Sequence, residues 1–371
     1  MPQIIEKEPS PQISVIWIFN LELDLNSTVL AAGHDWVREF ANHAAKINVI
    51  STHIGKVDLP GKVSYIELGG GNPFARVLAI IRLLRLLPGL WRSRHESVVF
   101  HHMSPKTVLI LGLPIRIMGI PQGLWYSHSK NSLQFQLAKT IVNYVFTSIK
   151  GAAPGFSKKF RFIGHGISES RFIRKTKRWE KQQGEILCVG RVSPVKKIEV
   201  LLDTLLVVRS HKAQDGVSIK ICGSFEPQSD YFKHLSARAN ELKNHIKFVG
   251  PVKYTDIHKF FRNADFFFSG TPASVDKAVI EAAFSGCLIL SENRAALELT
   301  GMHRAWAEVL HDSPSDLFNQ LQTLTRLTPK KKDEMREIVW STSLTNNKIS
   351  GTIEQILLQL GSSVKQNQKK A

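Results

Sequence analysis

Short runs rich in Val, Ile and Phe alternate along this sequence with stretches of helical periodicity, and that alternation is typical of parallel β-sheets wrapped by α-helices. The first half of the chain predicts seven strands, at residues 14–19, 47–51, 63–68, 97–101, 123–126, 144–147 and 161–163. The second half predicts six more, at residues 186–189, 218–222, 246–248, 266–269, 288–290 and 307–310. Two separate sets of strands predict an α/β protein with two parallel sheets.

The stretch between the two sets carries no strand pattern. Residues 171–184 hold six bases and one acid, and a chain of 371 residues is typical of two domains. We therefore predict a Rossmann-like domain over 1–170, a basic interdomain linker over 171–184, a second Rossmann-like domain over 185–345, and a C-terminal helix and basic tail over 346–371. In this architecture the domains face each other across a cleft, with ligand-binding loops at the carboxyl ends of the strands. The polar residues 361–371 are expected to form a frayed tail.

The cysteines and the N-terminus favour a cytoplasmic location. The three cysteines have no metal-binding spacing and would leave one thiol unpaired in any disulfide scheme, which fits a reducing compartment. Residues 1–10 lack the apolar core of a signal peptide. The most apolar stretch, 107–126, is interrupted by two prolines and an arginine, so no run approaches the roughly 20 residues that span a bilayer.

Residues 186–197 combine a strand with a group of bases. The strand ends at Gly190 and is followed by Arg191, Lys196 and Lys197. The guanidinium of Arg191 suits two phosphate oxygens, and Lys196 offers a point charge, so the two could neutralise a diphosphate. The alternative is that these bases are solvated in a turn. Signatures of other chemistries, such as a Gly-Lys-Ser/Thr phosphate loop, His-Glu-x-x-His or Gly-x-Ser-x-Gly, are absent from the sequence.

Residues 266–286 predict a strand, a Ser/Pro loop and a short helix capped by Ser274. The free N–H groups at the start of such a helix form an anion site. Glu281 lies within this helix among apolar residues, where a carboxylate needs a partner, and ribose hydroxyls are a natural one. The alternative is a carboxylate favoured there by the helix dipole.

These segments, in this order, resemble the retaining glycosyltransferases of family 4 (glycosyl transferases group 1), which have the GT-B fold. The family pattern reads Gly-Arg-Leu-x-Pro-x-Lys-Gly, then Gly, then Phe-x-Gly, then Glu-x7-Glu-Ala and a later Gly. The chain supplies Gly190, Arg191, Pro194, Lys196, Gly223, Phe248, Gly250, Glu281, Ala282 and Gly286. First-half segments resemble family members that act on cell-envelope polysaccharides, at residues 23–41, 100–105, 124–128, 146–148 and 164–167.

The resemblance implies a retaining hexosyltransferase that moves a sugar from a nucleotide-diphosphate sugar to a saccharide or lipid-linked saccharide acceptor. It implies that Arg191, Lys196 and the helix N-terminus at 276–278 stabilise the leaving diphosphate without a metal or other cofactor. His128 matches a histidine that contacts the donor sugar across the cleft, although a histidine held by backbone in a turn is the alternative. The other implied donor contacts are Gly190, Gly223, Ser274, Asp276, Lys277 and Glu281, with His165 from the first domain.

Two positions depart from the family pattern. Ala273 stands where the first glutamate of Glu-x7-Glu is expected, and Lys197 replaces the usual glycine after Lys196. Asp276, three residues beyond Ala273, could take over contacts to the donor sugar, and the sequence then represents a subtype. The alternative is a non-catalytic, glycosyltransferase-like binding protein.

The positive charge predicts an anionic partner. Lys and Arg outnumber Asp and Glu by 49 to 31, a formal charge of +18, and residues 97–168 contain no acid. Residues 74–95 form a basic, apolar helical pattern, suited either to anionic lipid headgroups or, since apolar groups lie nearly all round it, to burial. Together with a lipid-linked acceptor this predicts peripheral association with the inner face of the plasma membrane. Nucleic acid is not expected, because the bases are not interleaved with aromatic residues.

Overall fold

The computed structural model describes residues 13–27, 30–128, 130–172, 179, 181–210, 216–242, 245–272, 275–307 and 317–368. The chain forms two compact units. The first consists of Met1–Leu25, Leu30–Gly166 and Ile349–Ala371, and the second of Asn26–Val29 and Ile167–Lys348.

Each unit contains one wholly parallel sheet. The first has seven strands in the order β3-β2-β1-β4-β5-β6-β7, and the second has five in the order β10-β9-β8-β11-β12. The strands are β1 Val15–Leu23, β2 Lys46–Ile54, β3 Val63–Glu67, β4 Ser97–His102, β5 Gln122–Trp125, β6 Tyr144–Thr147, β7 Phe160–Phe162, β8 Gln182–Val189, β9 Ser218–Cys222, β10 Ile246–Gly250, β11 Ala264–Phe268 and β12 Leu288–Leu290. The predicted α/β class with two parallel sheets is confirmed.

Helices account for most of the remaining described residues. They are α1 Ala32–Ala41, α2 Pro73–Leu84, α3 Leu87–Arg92, α4 Pro105–Ile117, α5 Leu133–Ile141, α6 Glu169–Phe172, α7 Ile198–Ser210, α8 Asp230–Leu242, α9 Ile257–Asn263, α10 Lys277–Phe284, α11 Arg294–Leu299, α12 Met302–Ala307, α13 Leu317–Arg326, α14 Pro329–Asn347 and α15 Ile349–Gln368. No helix among the described residues is long and apolar enough to cross a membrane.

The first sheet buries both faces, because successive side chains of a strand point to opposite sides. On β1, Ile16 and Ile18 pack with α1 and α15, whereas Trp17 and Phe19 join the core beneath α2, α3 and α4. Each face therefore carries its own apolar core, and the strands consist of nearly continuous apolar runs, as expected for a parallel sheet.

The last helix of the chain, α15, belongs to the first unit. Ile353, Ile356 and Leu360 are fully buried in the core that contains Trp36 and Phe40 of α1. The prediction of a frayed tail over 361–371 is wrong for residues 361–368, because these residues continue α15 to its end at Gln368. The reason is that Val364 continues the apolar face of Leu357 and Leu360 at helical spacing, and is itself buried.

The junction between the two sets of strands contains regular structure at both ends. Arg171 lies in α6 and Gln182 begins β8, while residues 173–178 and 180 lie outside the described residues. Of the predicted strand at 307–310, Ala307 is instead the last residue of α12, and the other three positions are outside the described residues.

A buried charge cluster ties the second sheet to α14. The carboxylate of Asp265, fully buried on β11, accepts hydrogen bonds from Lys332 Nζ at 2.9 Å and from the guanidinium of Arg336. It also accepts the Gly184 N–H at 3.0 Å. Two cations and a backbone donor thus compensate one buried anion, which is the condition under which a buried charge is tolerated.

The basic, apolar pattern at 74–95 forms two helices, α2 and α3, rather than one. In a continuous helix Pro88 would lack the N–H for a helical hydrogen bond, and its ring would clash with the carbonyl of Leu84, four residues earlier. Helix α2 ends at Leu84, and Pro88 lies in the first turn of α3. The interpretation of this stretch as largely buried is wrong for α2, because Leu83 is its only buried residue.

Candidate active site

The carboxyl ends of β8 and β9 approach each other through two glycines. Gly190 N–H donates to the Cys222 carbonyl at 2.9 Å, and Gly223 N–H donates to the Gly250 carbonyl at 2.8 Å. Gly190 and Gly223 have φ values of 133° and 154°, and a Cβ on Gly223 would lie 1.9 Å from the Gly190 carbonyl oxygen. Only glycine permits this close approach.

Lys196 ends a short 3-10 turn, Pro194–Lys196, that follows β8. Its N–H donates to the Ser193 carbonyl at 2.9 Å. The next residue, Lys197, is left-handed with φ 48°, and it occupies the position where the resembling family has glycine. The chain therefore keeps the backbone turn that glycine favours, at the cost of placing a side chain in a strained conformation.

Lys196 and Asp276 form an ion pair at the end of the second sheet. Lys196 Nζ lies 2.6 Å from Asp276 Oδ2, and the Thr271 hydroxyl donates to the same oxygen at 2.7 Å. Asp276 is the N-cap residue of α10, but its side chain does not cap the helix. The prediction that Ser274 caps this helix is wrong: Ser274 and Ala273 lie outside the described residues, and α10 begins at Lys277, three residues later.

A cavity of about 20 Å³ lies beside this ion pair, with room for about one water molecule. Gly190, Lys196, Ser269 and Asp276 contribute to its lining. The ammonium group of Lys196 lies beside the N-terminus of α10. Together with the backbone N–H groups of that helix end, it is suited to bind an anionic group.

Arg191 and Glu281 differ in their exposure to solvent. Arg191 is exposed, and its guanidinium makes no hydrogen bond or ion pair to any residue that the structure describes. Glu281 is only 6% exposed, in the middle of α10, where residues 278–284 are all buried. The guanidinium of Arg191 is therefore accessible to a ligand from solution, whereas the carboxylate of Glu281 is buried within α10.

Cys188 and Cys222 remain thiols at neutral pH. Burial raises the pKa of both, to about 12 for Cys222. Since the thiolate is the nucleophile, neither cysteine is suited to covalent catalysis here.

The two predicted histidines belong to the first unit. His128 is exposed beyond the end of β5, and its Nδ1 accepts the Lys130 N–H at 2.9 Å. His165 is buried in the Gly164–Gly166 loop, whose Gly166 carbonyl accepts a hydrogen bond from Trp36 Nε1 at 2.8 Å. The structure therefore brings together Gly190, Lys196, Gly223 and Asp276 within one unit, and the roles of the histidines stay predictions.

His101 and His102 face opposite sides of β4, because successive side chains of a strand alternate between its two faces. The His101 ring stacks on Phe19 and its Nδ1 lies 2.8 Å from the Thr107 hydroxyl, while His102 lies against Trp36. Complete burial lowers the pKa of His101 to about 3, so it stays neutral.

Sequence reasoning missed two side chains that support the Lys196 loop. Thr271 hydrogen-bonds Asp276, and the Tyr231 hydroxyl accepts the Ile198 N–H at 3.1 Å while donating to Glu199 at 2.5 Å. Tyr231 lies on α8, far from the loop in sequence, and no periodic signal marks it.

One group of three potential metal ligands occurs among the described residues, in the first unit. Side-chain atoms of Glu22, Asp24 and His53 lie within 4.8 Å of one another. Asp24 also accepts the Lys56 N–H at 3.0 Å, and His53 lies 3.2 Å from Glu67. These half-exposed groups belong to the first unit and already make contacts with its residues.

Part of the chain matches a known family. Residues 169–294, which include Arg191, Lys196 and Glu281, match the model described as Glycosyl transferases group 1. No curated protein sequence matches the chain at a significant level.

Solved structures resemble the chain over nearly its whole length. Anabaena HepE in complex with UDP and glucose is 14% identical, with a TM-score of 0.66 over 94% of this chain and 100% of HepE. A glycosyltransferase from Rickettsia africae is 15% identical, with a TM-score of 0.69 over 95% and 99%. The apo form of the lipopolysaccharide outer core galactosyltransferase WaaB is 11% identical, with a TM-score of 0.60 over 94% and 99%. The fold is GT-B, the fold of these glycosyltransferases.

Proposed function

We propose that the protein is a retaining glycosyltransferase of family 4 that uses a nucleotide-diphosphate sugar as donor. The observation that carries the proposal is the arrangement of Gly190, Lys196 and the start of α10 at the carboxyl end of the second sheet. It lies within the segment that matches the glycosyltransferase family. HepE, which shares the fold, has been solved with UDP and with UDP-glucose.

In this mechanism the protein stabilises the leaving diphosphate. Lys196, the exposed Arg191 and the N–H groups at the start of α10 neutralise charge as it develops, without a metal ion. Gly190 and Gly223 have no side chains, so the backbone at the ends of β8 and β9 can approach the donor diphosphate closely. A phosphate oxygen takes the proton of the acceptor, so no protein nucleophile is required.

The remaining residues orient the donor. Buried Glu281 accepts hydrogen bonds from ribose hydroxyls, and Asp276, held by Lys196 and Thr271, offers its second carboxylate oxygen to a sugar hydroxyl. Ser274, which precedes α10 in sequence, and Lys277, in the first turn of α10, contact the phosphates of the donor. His128 and His165 contribute from the first unit.

The acceptor is a saccharide or lipid-linked saccharide in cell-envelope polysaccharide biosynthesis. This part rests on fold likeness to WaaB, which acts on the lipopolysaccharide outer core, and on the positive charge of the chain. We place the enzyme in the cytoplasm, at the inner face of the plasma membrane.

A donor panel tests the proposal. Purified protein is incubated with UDP-, GDP- and ADP-sugars, with and without lipid extract, and release of the nucleoside diphosphate is measured. We expect release from one class of donor, and loss of about 100-fold or more in kcat for Lys196→Ala. Lys233→Ala, which removes an exposed lysine of α8, is the matched control. Full activity of Lys196→Ala would exclude this mechanism, and the anomeric configuration of the product by NMR decides between retention and inversion.

A second candidate function is a non-catalytic sugar-nucleotide binding protein, favoured by Ala273 in place of the first glutamate of Glu-x7-Glu. Calorimetry separates the two functions. Binding of a nucleotide-sugar without release of diphosphate under any acceptor condition supports the binding protein.

A further inference from the structure

Helix α2 presents apolar side chains to solvent. Phe74 is 71% exposed and Val77 55%, and four further large aliphatic side chains of this 12-residue helix are also exposed: Leu78, Ile80, Ile81 and Leu84. A helix on the surface of a soluble protein normally turns its apolar stripe inward and its polar face outward. The arrangement in α2 is the reverse.

The direction of these side chains follows from the helical period of 100° per residue. Leu83 packs into the core of the first sheet, with Ala79 beside it. Val77, Ile81 and Leu84, spaced four and three residues apart, form a continuous stripe on the opposite side. We call Phe74, Val77, Ile81 and Leu84 the outer stripe of α2.

Neighbouring helices extend the apolar surface. Helix α4 packs beside α2 over the same core, through Leu111 and Ile115, and its Leu113 and Ile117 are exposed. In α3, Trp91 is half exposed, and the guanidinium of Arg94 lies 4.1 Å from the centre of its ring. An aromatic ring and an arginine together are typical of the boundary between water and lipid.

The charge of this part of the chain has one sign. Residues 68–168 contain thirteen bases and a single acid, Glu96, and so carry twelve of the eighteen net positive charges. Arg76 and Arg82 flank the outer stripe on its two sides, and Arg82 Nη1 also donates to the Leu68 carbonyl at 2.6 Å. Apolar side chains bordered by arginines are complementary to a surface that is apolar inside and anionic outside.

We propose that the outer stripe of α2, with Leu113 and Ile117 of α4, docks on the anionic surface of a lipid bilayer. The apolar side chains enter the boundary between headgroups and acyl chains, and the arginines contact lipid phosphates. A second copy of the chain fits this surface less well, because two identical acid-poor, arginine-bordered faces repel each other. The inference concerns the first unit alone and stands whether or not the proposed glycosyl transfer is correct.

Co-sedimentation with vesicles tests the proposal. The full chain is mixed with phosphatidylcholine vesicles that contain or lack phosphatidylglycerol, at low and at physiological salt. We expect binding to the anionic vesicles, weakened by salt, and a loss of about tenfold or more in partitioning for Ile81→Glu, since a charge must then enter the apolar boundary. Arg85, the exposed C-cap residue of α2, adds a further positive charge beside the outer stripe. The double change Arg76→Gln and Arg85→Gln should weaken binding while leaving the apolar stripe intact.

Leu358→Glu is the matched control, because Leu358 is 57% exposed on α15, on the other face of the first sheet. It should bind vesicles like the unchanged protein, and circular dichroism melting should show that both variants fold. Wild-type sedimentation of Ile81→Glu, absence of vesicle binding by the unchanged protein, or equal binding to neutral vesicles would each overturn the proposal. Self-association in analytical ultracentrifugation that Ile81→Glu abolishes, without vesicle binding, would assign the surface to a second copy instead.

Discussion

The ammonium group of Lys196 lies 2.6 Å from a carboxylate oxygen of Asp276, across eighty residues of sequence and directly before the first turn of α10. The pair joins the loop after β8 to the loop after β11. A carboxylate therefore already neutralises the lysine at the place where we expect a phosphate to bind.

Asp276→Asn should tighten the binding of nucleoside diphosphates. The carboxylate repels an incoming phosphate and competes for Lys196, and removing one such charge near the surface is worth about 1–2 kcal/mol, or roughly fivefold to thirtyfold in Kd. Titration calorimetry measures the effect, with Asp230→Asn, an exposed acid at the start of α8, as control. An unchanged or weaker affinity would show that Asp276 does not compete with the ligand.

Lys197→Gly should stabilise the protein. Left-handed backbone costs a residue with a side chain about 1–2 kcal/mol, and the greater freedom of glycine in the unfolded chain returns roughly 0.5–1 kcal/mol of that. The expected net gain in the free energy of unfolding is about 0.5–1 kcal/mol by urea denaturation. The same change within a helix, Lys233→Gly in α8, should instead cost about 1 kcal/mol. Destabilisation by both substitutions would contradict the strain at Lys197.

Asp265→Asn should strongly destabilise the second unit. The neutral amide leaves Lys332 and Arg336 buried without their anion, a loss of about 3–5 kcal/mol. The control is Glu334→Gln on the same helix, which removes a partly exposed pair with Lys331 and should change stability by less than about 1 kcal/mol. Denaturant unfolding measures both values, and equal effects would argue against the cluster as a source of stability.

Acid should destabilise the first unit through His101. Its pKa is lowered to about 3 in the folded protein, so the unfolded chain binds a proton more readily. The free energy of unfolding therefore falls as the pH drops below about 6.5, by up to about 1.4 kcal/mol per pH unit from this group. His101→Gln should unfold more easily at pH 7 but show a flatter pH profile between about 6.5 and 4.5. Parallel profiles for the two proteins would exclude His101 as the titrating group.

The sheets were predictable from sequence because buried parallel strands are short, continuous apolar runs between polar turns. Runs such as residues 97–101 and 288–290 carry that pattern with little ambiguity. The limits of helices were less predictable: the start of α10 depends on the loop before it, and α15 continues past a polar segment because Val364 finds a buried place.

Parts of the candidate site were predictable and parts were not. Gly190 and Lys196 follow a strand directly, so their position at the sheet edge comes from local sequence. The contacts of Asp276 with Lys196 and Thr271 depend on how two loops meet in space, and no local pattern encodes that meeting. Sequence left open whether α2 is exposed or buried for a related reason: periodicity identifies apolar side chains, but the packing of the whole unit decides which of them are covered.

The position of α15 affects the order in which the core of the first unit can be completed during synthesis. The first unit begins with the first strand of the chain, yet Ile353, Ile356 and Leu360 close one side of its core. The ribosome delivers these residues only after the whole second unit has emerged. Until then the core of the first unit lacks these three side chains. A variant that stops at Lys348 would keep the residues of the second unit and leave one apolar side of the first unit uncovered.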